Sequence, residues 1–385
     1  MIDEVDNLYA HCDTAVLDPR TRQPISMARL CEVLPPSLAA LELSREPKYR
    51  LPDPVRDIYA TYRPTPLVRA GRFEQAIGTD CEIYVKDEGR TPSGNHKANS
   101  AILIAYLCHR DGIETVVTET TGNWGLALAK ACAMFGVRTI CFIDAQSDAH
   151  RPDRGRLMRE AGAEVIVVEP DGAHTDLLTL SADAAIEHTR HLDGAAYVFG
   201  SVYNYFIAPQ TIIGAEARAQ LGRTYPDIVV GSCGGGANLL GTAGPFIVDH
   251  IETGQPVQIV CAESDRCPIL SRGTVGQYSI DTMGAYPFIE TYGLEGLLGD
   301  EYIGGLGSTI VAQPVASFHS RGLIETCTLP AATAVEAARI FEASEACSVA
   351  LETGYQLAAA ISMANRHRRK RILLNISSRG SSQFA

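Results

Sequence analysis

From about residue 80 onward, short apolar runs alternate with longer amphipathic stretches. The runs EIYVK, TVVTE, TICFID, EVIVVE, DIVVGS, VQIVCAE and RILLNIS are rich in Val and Ile and nearly unbroken. Strands buried on both faces read this way, because neither side turns polar residues to water. Between them, GLALAKACAMFG, DRGRLMREAGA, QTIIGAEARAQLG and AVEAARIFEAS repeat apolar residues at spacings of three and four, and several end on Gly. That period gathers the apolar positions on one helix face, and Gly is the common stop residue. Strand and helix in repeated alternation predict an α/β fold, with a mostly parallel sheet flanked by helices on both faces. Ligands in such folds bind beyond the carboxyl ends of the strands, in the loops entering the helices.

The first 60 residues depart from this pattern. They carry VLPPS and REPKYRLPDP and few strand signals. They are expected to form an extension with short helices, wrapped around the body.

Length and charge narrow the picture. A chain of 385 residues is too long for the usual single core and implies two domains or one large one. Apolar residues at 46% and charged residues at 20% suit a soluble globular protein. A formal net charge of −12 argues against nucleic acid or an anionic membrane as the main partner. The basic run RHRRKR at 366–371 reads as a solvated helix end. Eleven scattered cysteines, without C-x-x-C, read as reduced thiols, several of them as small core residues in strands, such as Cys141 and Cys261. With an acidic N-terminus, no signal-peptide core and no apolar run of membrane-spanning length, the expected location is cytoplasmic. No metal site is expected.

Four loops at predicted strand ends could carry chemistry. TPSGNHKANS, residues 91–100, places Lys97 at the mouth of a helix, whose partial positive charge disfavours a cation. The residues alone leave open whether this is an incidental lysine or an amine held neutral or tied up covalently. GSCGGGANLLG, residues 231–241, follows a strand with three bare glycines and leads into a helix, which builds a phosphate nest. A dinucleotide fingerprint fails because Leu239 stands at its last glycine position, and no Walker pattern follows. A single phosphate is the better reading, with a tight turn as the plainer one. TETTGNWGLALA, residues 118–129, turns from Glu119 into a helix whose N–H groups could hold a carboxylate. Its Trp124 is the chain's single tryptophan and reads first as packing. LLNISSRG, residues 373–380, ends a buried strand on Ser377.

In this order, the four loops resemble those of the pyridoxal-phosphate enzymes of fold type II. The nearest resemblance is to the tryptophan synthase β subunit, in its stand-alone second branch. YRPTPLVRA at 62–70, FGSVYNYFIAPQTIIGAEA before PDIVVGSCGGGAN, RGLIET, LETGYQLAAAI and LLNISSRG carry it, over roughly residues 50–380. The resemblance implies two domains, each with an open, mostly parallel twisted sheet. Residues 1–60 would be the extension, 61–100 and 200–385 the larger cofactor-binding domain, and 101–199 a smaller mobile domain.

The resemblance also implies roles. Lys97 would form the Schiff base with pyridoxal 5'-phosphate, with His96 beside the phosphate and Gly234, Gly235, Gly236, Ala237 and Asn238 cradling it. Ser377 would bond the pyridine nitrogen, Glu352 would lie near the ring, and Asn123 would reach the ring oxygen. Thr120, Thr121, Gly122, Asn123 and Trp124 would bind the substrate carboxylate through their backbone, and Glu119 would be the acid–base group. Serine at the ring nitrogen, where a carboxylate would force protonation, makes a weaker electron sink and favours loss of a β leaving group. The implied reaction is β-replacement on serine or a serine-like amino acid, with indole the first candidate acceptor, in a homodimer with no nucleic-acid or membrane partner. ETTGNWG, however, is one residue shorter than the family's E-T-G-A-G-Q-(H/W)-G and equally resembles the asparagine loop of cysteine synthase and threonine synthase relatives. Elimination of the dehydratase or threonine synthase kind, or β-replacement on an activated serine ester, is therefore the alternative.

Overall fold

The computed structural model describes every residue except 1, 171, 173–175, 300 and 381–385. The extension holds β1 (Glu4–Asp6), β2 (Val16–Leu17) and β3 (Lys48–Arg50). Next come β4 (Leu67–Arg69) and β5 (Glu82–Asp87), then β6 (Thr115–Thr120), β7 (Arg138–Asp144), β8 (Glu164–Val168) and β9 (Ala195–Tyr197). The remainder supplies β10 (Ile228–Ser232), β11 (Gln258–Ser264), β12 (Thr274–Tyr278), β13 (Phe288–Gly293), β14 (Ile324–Leu329) and β15 (Arg371–Ile376).

Two sheets organise the body. The larger has the order β14-β11-β10-β15-β5-β4, parallel except for β4, which runs antiparallel to β5. The smaller, all parallel, has the order β8-β7-β6-β9 and comes wholly from residues 115–197. All seven apolar runs read from the sequence are strands of these sheets. In the middle of the larger sheet, β10 and β15 are buried along nearly their whole length, as unbroken Val, Ile and Leu require.

Two expectations need correction. EVIVVE forms β8, an edge strand whose Val167 is 37% exposed, because no strand among the described residues pairs with its outer side. The extension contains strands as well as helices: β1 pairs with β3, and β2 joins β12 and β13 in an antiparallel sheet. Strands of two or three residues are too short to show alternation.

The sheet order positions the loops. β10, β15 and β5 are neighbours, so their carboxyl ends bring the glycine loop, Ser377 and the lysine loop side by side. An isolated bridge between Asn95 and Ser378 ties two of these loops, and the His96 N–H donates to the Ser377 carbonyl at 2.8 Å. The smaller sheet delivers Glu119 from the carboxyl end of β6. All eleven cysteines are free, with Cys141 and Cys261 fully buried. The basic run lies on the surface, where Lys370 pairs with Asp227 and Arg371 with Glu82. No helix among the described residues is long and apolar enough to cross a membrane.

Candidate active site

One cleft is lined by His96, Lys97, Asn123, the 234–238 loop, Glu352 and Ser377. A second opens beside it, sharing Lys97, Thr121 and Gly235, and is lined also by Glu119, Thr120 and Trp124. Gly122 lies outside both linings and acts as the N-cap of the Asn123–Met134 helix, at φ 123°, a left-handed conformation open to glycine. The two adjoining clefts thus gather the other sequence-derived candidates.

The glycine loop is shaped by its neighbours. A Cβ on Gly234 would stand 2.3 Å from the Gly305 carbonyl oxygen, and one on Gly235 would stand 1.9 Å from Ser201 Oγ. Gly236 caps the Ala237–Thr253 helix at φ 101°. Among the described residues, the N–H groups of Gly234, Gly235, Gly236, Ala237 and Asn238 have no acceptor in the chain. Five converging donors at a helix N-terminus suit a phosphate. The Asn238 side chain serves the scaffold instead: Oδ1 accepts from Ser232 N–H at 3.1 Å, and Nδ2 donates to Asn375 at 2.8 Å.

His96 is buried, and its Nδ1 meets Gln210 Oε1 at 2.8 Å. Gln210 spends its Nε2 on the His96 carbonyl and Ser100 Oγ, so its Oε1 must accept. His96 therefore carries its proton on Nδ1, and burial pushes its pKa down to about 4. Lys97 precedes the Ala98–Arg110 helix, and its side chain has no hydrogen-bond partner among the described residues. Burial lowers its pKa, against the opposing pull of Glu119 and Glu352. Glu352 Oε1 accepts from the Gly305 N–H at 2.8 Å. Ser377 Oγ lies 3.0 Å from Thr353 Oγ1, which also accepts from the Ser377 N–H. Asn123 Oδ1 is buried with no partner among the described residues.

Glu119 is 3% exposed. The Tyr197 hydroxyl donates to its Oε2 at 2.5 Å, and the Gly200 N–H approaches its Oε1 at 3.5 Å. Desolvation outweighs these donors and raises its pKa to about 7. In the turn that follows, Thr120 Oγ1 accepts from the Gly122 and Gly125 N–H groups at 2.9 and 2.8 Å. This removes Gly122 from the expected carboxylate donors and leaves Asn123 and Trp124, the first two helical N–H groups, without an intrahelical acceptor. The Trp124 ring is packing: it donates to Thr118 Oγ1 at 2.7 Å, stands edge-on to Phe206 and covers Gly200.

Sequence reasoning missed Tyr197, Ser201, Gln210 and Thr353. Ser201 and Gln210 fall within the quoted stretch FGSVYNYFIAPQ, and Thr353 within LETGYQ, so their neighbourhoods were visible though their contacts were not. Among the described residues, no group of three or more His, Cys, Asp or Glu side chains could hold a metal ion.

The residues fit pyridoxal phosphate: a donor nest for its phosphate, an unpaired amine of lowered basicity for its aldehyde, and a hydroxyl for its ring nitrogen. Comparison with known proteins agrees. The family described as pyridoxal-phosphate dependent enzyme matches residues 58–378. Tryptophan synthase beta chain 2 of Thermotoga maritima is 35% identical over 371 residues, covering 91% of this chain and 87% of the relative. The protein of the same description from Pyrococcus abyssi is 32% identical over 385 residues, covering 94% and 88%. A crystal structure of a pyridoxal 5'-phosphate-dependent aspartate racemase shares the fold, with a TM-score of 0.64 at 20% identity over 85% of this chain and 95% of that one. The chain belongs to the pyridoxal-phosphate-dependent enzymes, within the kinship of the tryptophan synthase β chains, and pyridoxal 5'-phosphate is its cofactor.

Proposed function

We propose that the enzyme catalyses β-replacement on serine or a serine-like amino acid, with indole as the first candidate acceptor. The observation that carries this reading is the buried Glu119 carboxyl, with a pKa near 7, in a cleft that also contains Lys97. A carboxyl poised near neutrality can give a proton and take it back. The bound cofactor supplies the electron sink that lets bonds at the amino acid's α and β carbons break.

The chain's own residues do the rest. Lys97 would hold the cofactor's aldehyde, and its amine, once free, would take the proton from the substrate's α carbon. Glu119 protonates the departing hydroxyl oxygen and then accepts a proton from the incoming nucleophile. The N–H groups of Thr121, Asn123 and Trp124 orient the α-carboxylate, and the Asn123 side chain meets the ring oxygen. His96 and the 234–238 N–H groups hold the phosphate, Ser377 faces the ring nitrogen, and Glu352 lies beside the ring. The larger and smaller domains expected from the sequence, a homodimer and a cytoplasmic location belong to the same proposal.

A second reading is favoured by the Thr120 hydroxyl, which draws in two N–H groups of the shortened turn. In that case the substrate brings a better leaving group, such as an ester, and Glu119 is dispensable. Product analysis of the cofactor-loaded enzyme with serine, with and without indole, tests the proposal. Tryptophan formed only with indole supports it, and pyruvate in both reactions replaces it with elimination.

A further inference from the structure

Tyr197, whose hydroxyl holds Glu119, also lines a separate cavity of about 710 Å³. That cavity shares no lining residue with the active-site clefts. Its size falls within the roughly 300–1,000 Å³ of small-molecule sites. Three parts of the chain meet around it. The extension contributes Arg20, Arg29 and the segment 31–36, the smaller sheet contributes β9 and the end of the Leu177–Arg190 helix, and the turn 283–286 closes the ring.

The inner wall is aromatic. Tyr197 and Tyr286 are each 2% exposed, and their rings stand edge to face with centroids 5.0 Å apart. The Tyr286 hydroxyl donates to the Tyr197 carbonyl at 2.7 Å, which fixes the pair. Val33, Leu34, Ile113 and Ile186 add apolar surface beside it. A planar ring finds there both area to bury and aromatic partners.

The charged positions favour one sign. Four lining residues are charged, and three are arginines, in a chain of net charge −12. Arg29 is spent on Asp18, at 3.2 Å, and on Glu32, the one acid of the lining. Arg20 is exposed and makes no ion pair among the described residues. Arg190 pairs at 3.0 Å with Glu187, one turn back on its own helix and half exposed like itself. Such a pair is worth little in water, so both guanidiniums remain available to an anion.

We propose that this cavity binds a small aromatic carboxylate, its ring against Tyr197 and Tyr286 and its anion met by Arg20 and Arg190. It is a ligand site apart from the cleft that holds Lys97.

Calorimetric titration of the cofactor-loaded enzyme with 2-naphthoate tests it, beside the neutral 2-naphthylmethanol and the saturated decahydro-2-naphthoate. The aromatic acid should bind about 10-fold tighter than the neutral alcohol, the scale of a hydrogen bond to a charged group, and tighter than the saturated acid. Joint replacement Arg20→Gln and Arg190→Gln should erase the margin over the alcohol; both side chains are exposed, so the fold does not depend on them. Ala285→Trp, which fills the cavity from its turn, should abolish binding of all three. No binding of 2-naphthoate, or equal binding of the alcohol, would overturn the proposal. So would an affinity unchanged in the double arginine variant, which would place the acid elsewhere, and a saturated acid that binds as well would remove the aromatic wall from the argument and with it the ligand class.

Discussion

Among the described residues, Glu119 depends on one hydroxyl, that of Tyr197, for its only close side-chain hydrogen bond. Its pKa is raised from 4.5 to about 7, so the acid form prevails below pH 7. If that form protonates the leaving group, kcat/KM should fall as pH rises through about 7. Glu119→Gln should remove this limb and slow turnover of serine by ~10²–10⁴-fold. Tyr197→Phe removes a donor that favours the carboxylate, so it should keep the limb but move it to higher pH. A glutamine variant that converts serine at the wild-type rate would make Glu119 structural. Lys97, the glycine loop and Ser377 were legible because each follows a strong apolar run. Tyr197 was not, because it ends the three-residue β9 and meets Glu119 from 78 positions away. No local spacing encodes such a contact.

The loop-bearing elements show which signals the sequence carries well. The seven quoted Val- and Ile-rich runs all became strands of the two main sheets, since burial on both faces writes itself into composition. The order of those strands was not written there. Nor were β12, β13 and β14 noticed, whose exposed positions and polar residues dilute their apolar content. The glycine triplet was read as a nest for a ligand, but its bareness has a second cause. Gly234 faces the Gly305 backbone, which cannot rotate aside as a side chain can. Gly234→Ala should therefore displace the loop and lower cofactor occupancy after exhaustive dialysis, measured by absorbance of the released cofactor. Unchanged occupancy would mean that the loop tolerates a shift and that the phosphate does not depend on its present shape.

At the scale of the whole molecule, the extension is bound into the body through a buried acid. Glu42, in the helix Pro36–Leu43, is fully buried; its Oε2 accepts from the Tyr205 N–H at 3.2 Å, and its Oε1 has no partner among the described residues. Burial pushes its pKa up to about 7, above the ordinary 4.5. The folded state thus keeps a proton that the unfolded chain releases, so stability is greatest below about 4.5 and is lost as pH rises to about 7. The loss is about 3 kcal/mol. Glu42→Gln should flatten this part of the curve, seen as a smaller difference in urea-unfolding free energy between pH 5 and pH 8. An identical pH dependence in both proteins would show that Glu42 ionises without cost. No local pattern marks this acid, which lies in a segment read only as an extension.

The place of β15 in the larger sheet has a consequence for how the enzyme is made. This strand sits between β10 and β5, yet it is the last of the described strands in sequence order. As the polypeptide leaves the ribosome, β5 and β10 are available early, but the slot between them stays empty until residues 371–376 emerge. The smaller sheet, drawn from one continuous stretch, needs no such wait and can form during synthesis. Ser377 follows directly on the late strand, so the cleft it lines is completed only after residue 377 has emerged. Cofactor capture then waits for the segment 371–377, and a chain interrupted before β15 leaves two open β edges in place of an enzyme.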